Sequence, residues 1–419
     1  MAFYSKKDKK YKRKNYKNDK IVMTGPKTAQ KSDDKKLKVV NGKRMKIKLK
    51  KLITFTVVLA LILTVFIINV LTPTGIIESI QNSFAGYGIS NEKNVTLFDK
   101  SCVDVKCNDD AIFSLSQSYL EVYSSGGKSI LLNQHGFTKP TLALSEARAL
   151  VFDRGKTGYK VYNYTGMLFD GKTEKNILAG DISRSGYFAL ATYSDSYTAQ
   201  VSVFNKNFEN VYTWYSADKL VSDVALSRDG KRVAISTVFA QNGALKSEIL
   251  LFKYNSASPY YSLSVDGPIT NLSQMNSKVF SASGEHFVFC ISWNGSSKND
   301  LVLNKEIKFV ASNDNGLLAT VVGADNTQQN TVQLFNKPQE ILHTFTVDAS
   351  IEHIALTDKN FYCVVDGKIE CYDLDGKLTD VVTPLKPTKF ISGLSSQKIV
   401  SVSDGYLEII SDIVFENNN

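Results

Sequence analysis

The sequence predicts an all-β body, a β-propeller of eight blades with seven as the alternative, carried behind a single N-terminal transmembrane helix. Three observations predict it. A polar turn followed by an apolar strand recurs as ISRSGYFALATY (182–193), LSRDGKRVAIST (226–237), SASGEHFVFCIS (281–292) and ASNDNGLLATVV (311–322). Beyond residue 94 helical periodicity almost vanishes, and short runs of β-branched and aromatic residues alternate with Asp-Gly, Gly-Gly and Asn-rich turns. Residues 52–71, LITFTVVLALILTVFIINVL, hold no charge.

Residues 1–51 carry 20 Lys/Arg against 4 Asp/Glu, so a tail of +16 precedes a remainder of −7, although the whole chain is +9. So few apolar residues cannot offset the entropy of ordering, which predicts a disordered tail. The uncharged run that follows is about 30 Å long as a helix, the thickness of a bilayer core. It is too long, and too far from the N-terminus, for a cleaved signal peptide, and reads as a signal anchor. KRMKIKLKK (43–51) abuts it on one side and TPTGIIESIQNS without Lys or Arg on the other. That asymmetry predicts a plasma-membrane protein with its N-terminus cytoplasmic and its body extracytoplasmic. Lys43, Arg44, Lys46, Lys48, Lys50 and Lys51 are then placed for anionic lipid headgroups, in preference to nucleic acid.

Residues 72–94 read as a linker with a short interfacial helix, because Ile76, Ile77, Ile80 and Phe84 recur at helical spacing before Gly86 and Gly88. From residue 95 to 419 the turn positions fall near Cys107, Ser145, Ser183, Ser227, Ser281, Ser312, Thr357 and Ser395, about 41 residues apart on average. A period near 40 with short strands marks a propeller, each unit being strand, polar turn, strand, hairpin, strand, turn and outer strand. Ring closure is expected to pair VTLFD (95–99) with the terminal KIVSVS and YLEIIS, leaving no open sheet edge.

The phrase at Ser227, Asp229, Gly230 and Ala234 resembles the S-x-D-G-x-x-h-A blades (h, hydrophobic) of WD-repeat-like and TolB-like propellers, over about residues 95–415. The layout of basic tail, anchor, LTP and propeller is similar to a family of envelope proteins from low-GC Gram-positive bacteria. That resemblance implies a location and a fold and names no reaction.

Other patterns carry less. GMLFDGKT (166–173) fits a phosphate-loop spacing, but Met167, Leu168 and Phe169 read as an outer strand. Cys102 and Cys107 are close enough in sequence for a small disulfide loop, the alternative being two thiols at a strand edge. An Asp366-Gly367 turn would pair Cys363 with Glu370 and put Cys363 and Cys371 on opposite faces. Cys290 reads as a buried hydrophobe. His135, His286, His343 and His353 are isolated, YDLDGKLTD (372–380) lacks the terminal Glu of a calcium loop, and no G-x-S-x-G occurs. Eight-bladed quinoprotein dehydrogenases have a Trp in nearly every repeat; this chain has Trp214 and Trp293 alone.

These readings converge on a membrane-anchored propeller that acts as a protein-binding or scaffolding module of the cell envelope, with no cofactor, no metal and no catalytic residues. The alternative is a carbohydrate or small-ligand site on the axial face, with enzymatic activity open to it. Candidate partner contacts are Tyr212 and Trp214 in the outer strand NVYTWYS (210–216), and Trp293 in a loop expected to meet solvent.

Overall fold

The computed structural model describes residues 42–71, 75–85, 93–295, 298–302, 306–313, 315–323, 329–337, 340–395 and 398–411. The basic tail up to residue 41, and Gly86 and Gly88, lie outside them. The chain divides into two units, Met1–Leu63 and Thr64–Asn419.

Helix α1 runs Gly42–Leu71. Leu52, Ile53, Phe55, Val57, Val58, Leu59, Leu61, Ile62 and Leu63 are all exposed on it, as are Lys50 and Lys51. Among the described residues no helix is long and apolar enough to cross a membrane. The side chains of Lys43, Arg44, Lys46 and Lys48, and those of residues 65–71 in the second part of the expected span, are outside the described residues. A second helix, α2, covers Ile76–Phe84, inside the expected linker.

From Asn94 onward the described residues form eight four-stranded antiparallel sheets. Seven follow one another in sequence, each with strands a to d from the axis outward, and d next to c throughout. The inner a strands are Cys102–Cys107, Pro140–Leu144, Ile177–Ile182, Leu220–Leu226, Ile269–Gln274, Ile307–Ser312, Ile351–Leu356 and Phe390–Ser395, for blades 1 to 8. In blade 8 the outermost strand comes from the other end of the domain: Asn94–Thr96 pairs with Tyr406–Ser411 through Asn94↔Glu408, Val95↔Leu407 and Thr96↔Tyr406. The ring thus closes as the sequence predicts.

The second strand of a blade is covered on both faces by its neighbours, which is why Ala111–Ser116, Ala149–Asp153, Leu318–Gly323 and Asn360–Val365 are buried at every position. Turning the chain between strands a and b needs a side-chain acceptor for the freed amides. Asn108 Oδ1 accepts from Ala111 N at 2.9 Å, Ser145 Oγ from Arg148 N at 3.2 Å, Ser183 Oγ from Tyr187 N at 3.2 Å and Ser227 Oγ from Arg232 N at 3.0 Å. Asn313 Oδ1 does the same for Leu317 N at 2.9 Å and Thr357 Oγ1 for Asn360 N at 3.2 Å. The recurrent phrase is therefore a turn lock.

Blade 5 corrects the sequence reading. Its lock is Asn276, whose Oδ1 takes Lys278 N at 2.9 Å and Val279 N at 3.1 Å, while Ser281 lies within strand Val279–Gly284. SASG resembles the phrase, but in this blade it precedes the next hairpin.

The cysteines also settle. Cys102 and Cys107 end the same extended strand, about 16 Å apart at the strand rise, far beyond disulfide range. Both are free thiols. Cys363 pairs with Glu370 across a turn whose Asp366 and Gly367 have φ of 50° and 72°, so Cys371 faces the other way, as the hairpin chemistry dictates. Met167–Lys172, the phosphate-loop lookalike, is the outer strand of blade 2, and a Cβ on Gly171 would lie 2.5 Å from the Tyr159 ring.

Candidate functional site: the axial channel and the two ring faces

Antiparallel order places all a-to-b and c-to-d turns at one end of the ring, and all b-to-c hairpins and d-to-a connections at the other. The two ends differ in chemistry.

At the first end a channel of about 900 Å³ opens along the axis, lined by the inner strands and their turn residues. Hydroxyls and amides, including Thr141, Ser222, Thr270, Asn271, Ser273, Ser312 and Ser392, share its wall with charged and aliphatic side chains, and Phe152 is the one aromatic among the lining residues. Inner strands carry register shifts at matching places, between Cys102/Asp104, Ile177/Ala179, Val221/Asp223, Ile269/Asn271, Ile307/Phe309 and Ile351/His353. Such bulges re-aim the following side chain.

Several of the re-aimed or neighbouring side chains staple adjacent blades around the axis. Asp181 Oδ2 accepts from Leu226 N of the next blade at 2.7 Å, and Asp223 Oδ2 from Leu272 N at 2.7 Å. Lys106 Nζ donates to Leu142 O at 2.7 Å. His353 Nδ1 accepts from Ile391 N at 3.4 Å, and burial lowers its pKa, which suits an acceptor nitrogen. Burial pushes Asp181 up to about 6, against the pull of the Leu226 and Ile182 amides and of Lys106. It pushes Asp223 up to about 7, with the Asp181 charge adding to the rise. Both carboxylates keep partial access to the channel while protein encloses them on the other sides.

At the mouth Glu146 in the blade 2 turn is ion-paired to both Arg184 of blade 3 and Arg228 of blade 4. Across the rim Asn313 Nδ2 donates to Asp358 Oδ1 at 2.9 Å. Among the described residues no group of three or more His, Cys, Asp or Glu could hold a metal ion. The wall offers hydrogen bonds and a pair of titrating acids to a polar guest.

Helix α2 packs beside this mouth. Arg148, in the blade 2 turn, makes a two-pronged contact with Glu78 of α2: Nε to Oε1 at 2.7 Å and Nη2 to Oε2 at 2.6 Å. Its Nη1 donates to Lys206 O at 2.8 Å and its guanidinium lies over the Phe208 ring. Both members of the ion pair are buried.

The second end is aromatic. Tyr193, Tyr197, Leu245, Leu385 and Tyr406, on hairpins and connections, are exposed there with Phe98. Tyr215, near the end of the blade 3 outer strand, joins Tyr197 with ring centroids 4.8 Å apart. The expected contacts fall elsewhere. Tyr212 is 9% exposed, and half-buried Trp214 packs on Phe252 of blade 4 at 5.4 Å. Trp293 is 1% exposed, against Phe280, with Nε1 bonded to Gln274 Oε1 at 3.0 Å. Its turn meets solvent only at neighbouring residues, because the blade 5 core needed the ring. Alternation along the outer strand was legible in sequence; which of its two faces pointed outward was not.

The family described as a family of unknown function, DUF5711, matches residues 81–411, a span that takes in the whole ring. The chain belongs to DUF5711. Among solved structures this DUF5711 chain is similar to the C-terminal WD40 domain of Sif2 over 78% of its length and 100% of that chain, at 14% identity and a TM-score of 0.56. It is similar to BamB from Moraxella catarrhalis over 76% of its length and 98% of that chain, at 10% identity and a TM-score of 0.50. Likeness at such identities shows the propeller fold alone. No curated protein matches the chain.

Proposed function

We propose that the protein is a single-pass plasma-membrane protein with a cytoplasmic N-terminus, whose extracytoplasmic propeller docks a partner protein of the cell envelope. It acts by binding, without catalysis. The observation that carries the docking surface is the aromatic end of the ring, where Phe98, Tyr193, Tyr197, Tyr215 and Tyr406 are all exposed, against Tyr260 at the opposite end of the propeller. Aromatic anchors of this kind dominate interface energetics. The membrane reading is supported by the uncharged run 52–71, by its continuity within α1 and by the Lys/Arg bias across it.

The test is a photo-crosslinking residue placed at Tyr197, at Tyr406 or, as a control on the opposite end, at Lys377, in the full-length protein in its native membrane. A discrete protein adduct from the first two sites and none from the third is expected. Equal adducts from all three, or none, would remove the aromatic end as the docking surface. Protease added to protoplasts supplies the topology arm: the propeller is cut and the tail spared.

The channel supports a second reading, a small polar ligand held by hydroxyls, amides and the two acids. Its wall has no stacked rings of the sort that hold sugars, since Phe152 stands alone among the lining residues.

A further inference from the structure

Among the described residues of the ring the two most exposed large hydrophobic side chains are Leu385 at 69% and Phe98 at 63%. Both belong to the second end of blade 8, beside its hairpin at residues 403–406, and both have their backbones pinned. Glu121 of blade 1 accepts the Phe98 amide at 2.9 Å, and the Tyr119 ring meets Phe98 edge-on with centroids 4.9 Å apart. Glu408 Oε2 accepts the Leu385 amide at 3.0 Å. Between the two anchors Leu97 N donates to Gly405 O at 3.0 Å, and Lys386 Nζ sits 3.7 Å from the centroid of the Tyr406 ring. Apolar side chains that are open to water yet already ordered lose little further freedom when a partner covers them, which is the condition for a docking anchor.

The charges around these anchors sort by direction. The carboxylates that touch the patch are engaged within the protein: Glu121 and Glu408 on the two amides, Asp99 on Ser101 Oγ at 2.6 Å and Ser116 Oγ at 2.7 Å, and Asp404 on Lys389 Nζ at 2.7 Å. Lys100, whose Cγ lies 2.9 Å from where a Cβ on Gly405 would stand, is exposed, and so is Lys386. Among the described residues neither is paired with a carboxylate. The other aromatic group at this end, on blade 3, differs: there Lys175 is matched at 2.6 Å by Asp195, on the hairpin that carries Tyr197. Blade 8 thus combines rigid apolar anchors with unmatched positive charge, although the chain beyond the basic tail is −7.

We propose that this end of blade 8 receives an acidic segment of the partner protein, its apolar side chains seated against Phe98, Leu385 and Tyr406 and its carboxylates meeting Lys100 and Lys386. The inference rests on the docking reading above and narrows it to one blade and one partner chemistry. Charge complementarity selects the occupant, because a basic segment would set like charges against the two ammonium groups and a neutral one would leave them without counter-charge at the interface.

The test places a photo-crosslinking residue at Leu385 in the full-length protein in its native membrane and sequences the partner peptide in the adduct. The crosslinked segment should carry net negative charge and at least one large apolar residue. Lys100→Glu combined with Lys386→Glu should lower the adduct yield about tenfold or more at an unchanged melting temperature, whereas Lys100→Arg combined with Lys386→Arg should keep it. Added salt should lower the yield of the parent protein too. A basic or neutral crosslinked segment, or a yield that survives charge reversal, overturns the proposal. An adduct from Tyr197 with none from Leu385 also overturns it and leaves the docking reading standing on blade 3. No adduct from either position removes the docking reading, and this proposal falls with it.

Discussion

Asp223 holds the Leu272 amide with one oxygen and turns toward the channel, with Asp181 near enough for its charge to be felt. Folding raises both carboxylates above the ordinary value, to about 7 and about 6. Between about pH 4 and pH 7 the folded chain therefore keeps protons that the unfolded chain has given up, and the stability gained from these groups is full at the acid end and lost as the pH rises through 7. Asp223→Asn keeps an acceptor for Leu272 N and removes the charge. We expect it to flatten the decline and to gain on the order of 1–2 kcal/mol at pH 8, allowing for screening by solvent in the channel. Denaturant midpoints from pH 4 to 8 on both proteins measure it, and parallel curves would show that Asp223 does not titrate in this window. Neither acid stands out in the sequence. DIS (181–183) and SDVAL (222–226) look like ordinary strand text, and only the packing of blade 3 against blade 4 brings the two carboxylates together at the axis.

At the scale of elements, the strands and their order were legible because a polar lock and an apolar run repeat with little variation. The exceptions have identifiable causes. In blade 5 the Ser-x-x-Gly of SASG outranked Asn276 as a sequence signal, yet Asn276 makes the turn bonds. For α2 the helical spacing of its apolar residues gave the element but not its sense, since Arg148, 70 residues from Glu78, decides which side packs. Removing that arginine leaves a buried carboxylate without its cation, which costs roughly 3–5 kcal/mol in sites of this kind. Arg148→Ala should therefore release α2 while leaving the ring folded. Hydrogen exchange at residues 78–85 should speed up roughly tenfold or more, with blade amides unaffected. Uniform acceleration through all blades would mean that the contact supports the ring as a whole.

For the whole molecule the decisive join is short. Three residue pairs hold Asn94–Thr96 onto Tyr406–Ser411, with Val95 buried among Leu407 and its neighbours. Glu121 of blade 1 reinforces the join by accepting the Phe98 amide at 2.9 Å and the Asp99 amide at 3.2 Å. Val95→Asp would drive an unpaired carboxylate into that core and uncover the edge of blade 8. We expect a melting temperature lower by several degrees and concentration-dependent aggregation on heating; an unchanged, concentration-independent melt would show that the ring does not depend on this strand. The same join also sets a clock. More than 300 residues separate Thr96 from its partner Tyr406, and at typical synthesis rates of about 5–20 residues per second the first strand waits roughly 15–60 s for the last to exist. Throughout that interval the seven other blades can zip up in order while Asn94–Thr96 has nothing to pair with, so its brevity keeps the waiting edge too small to recruit the wrong strand.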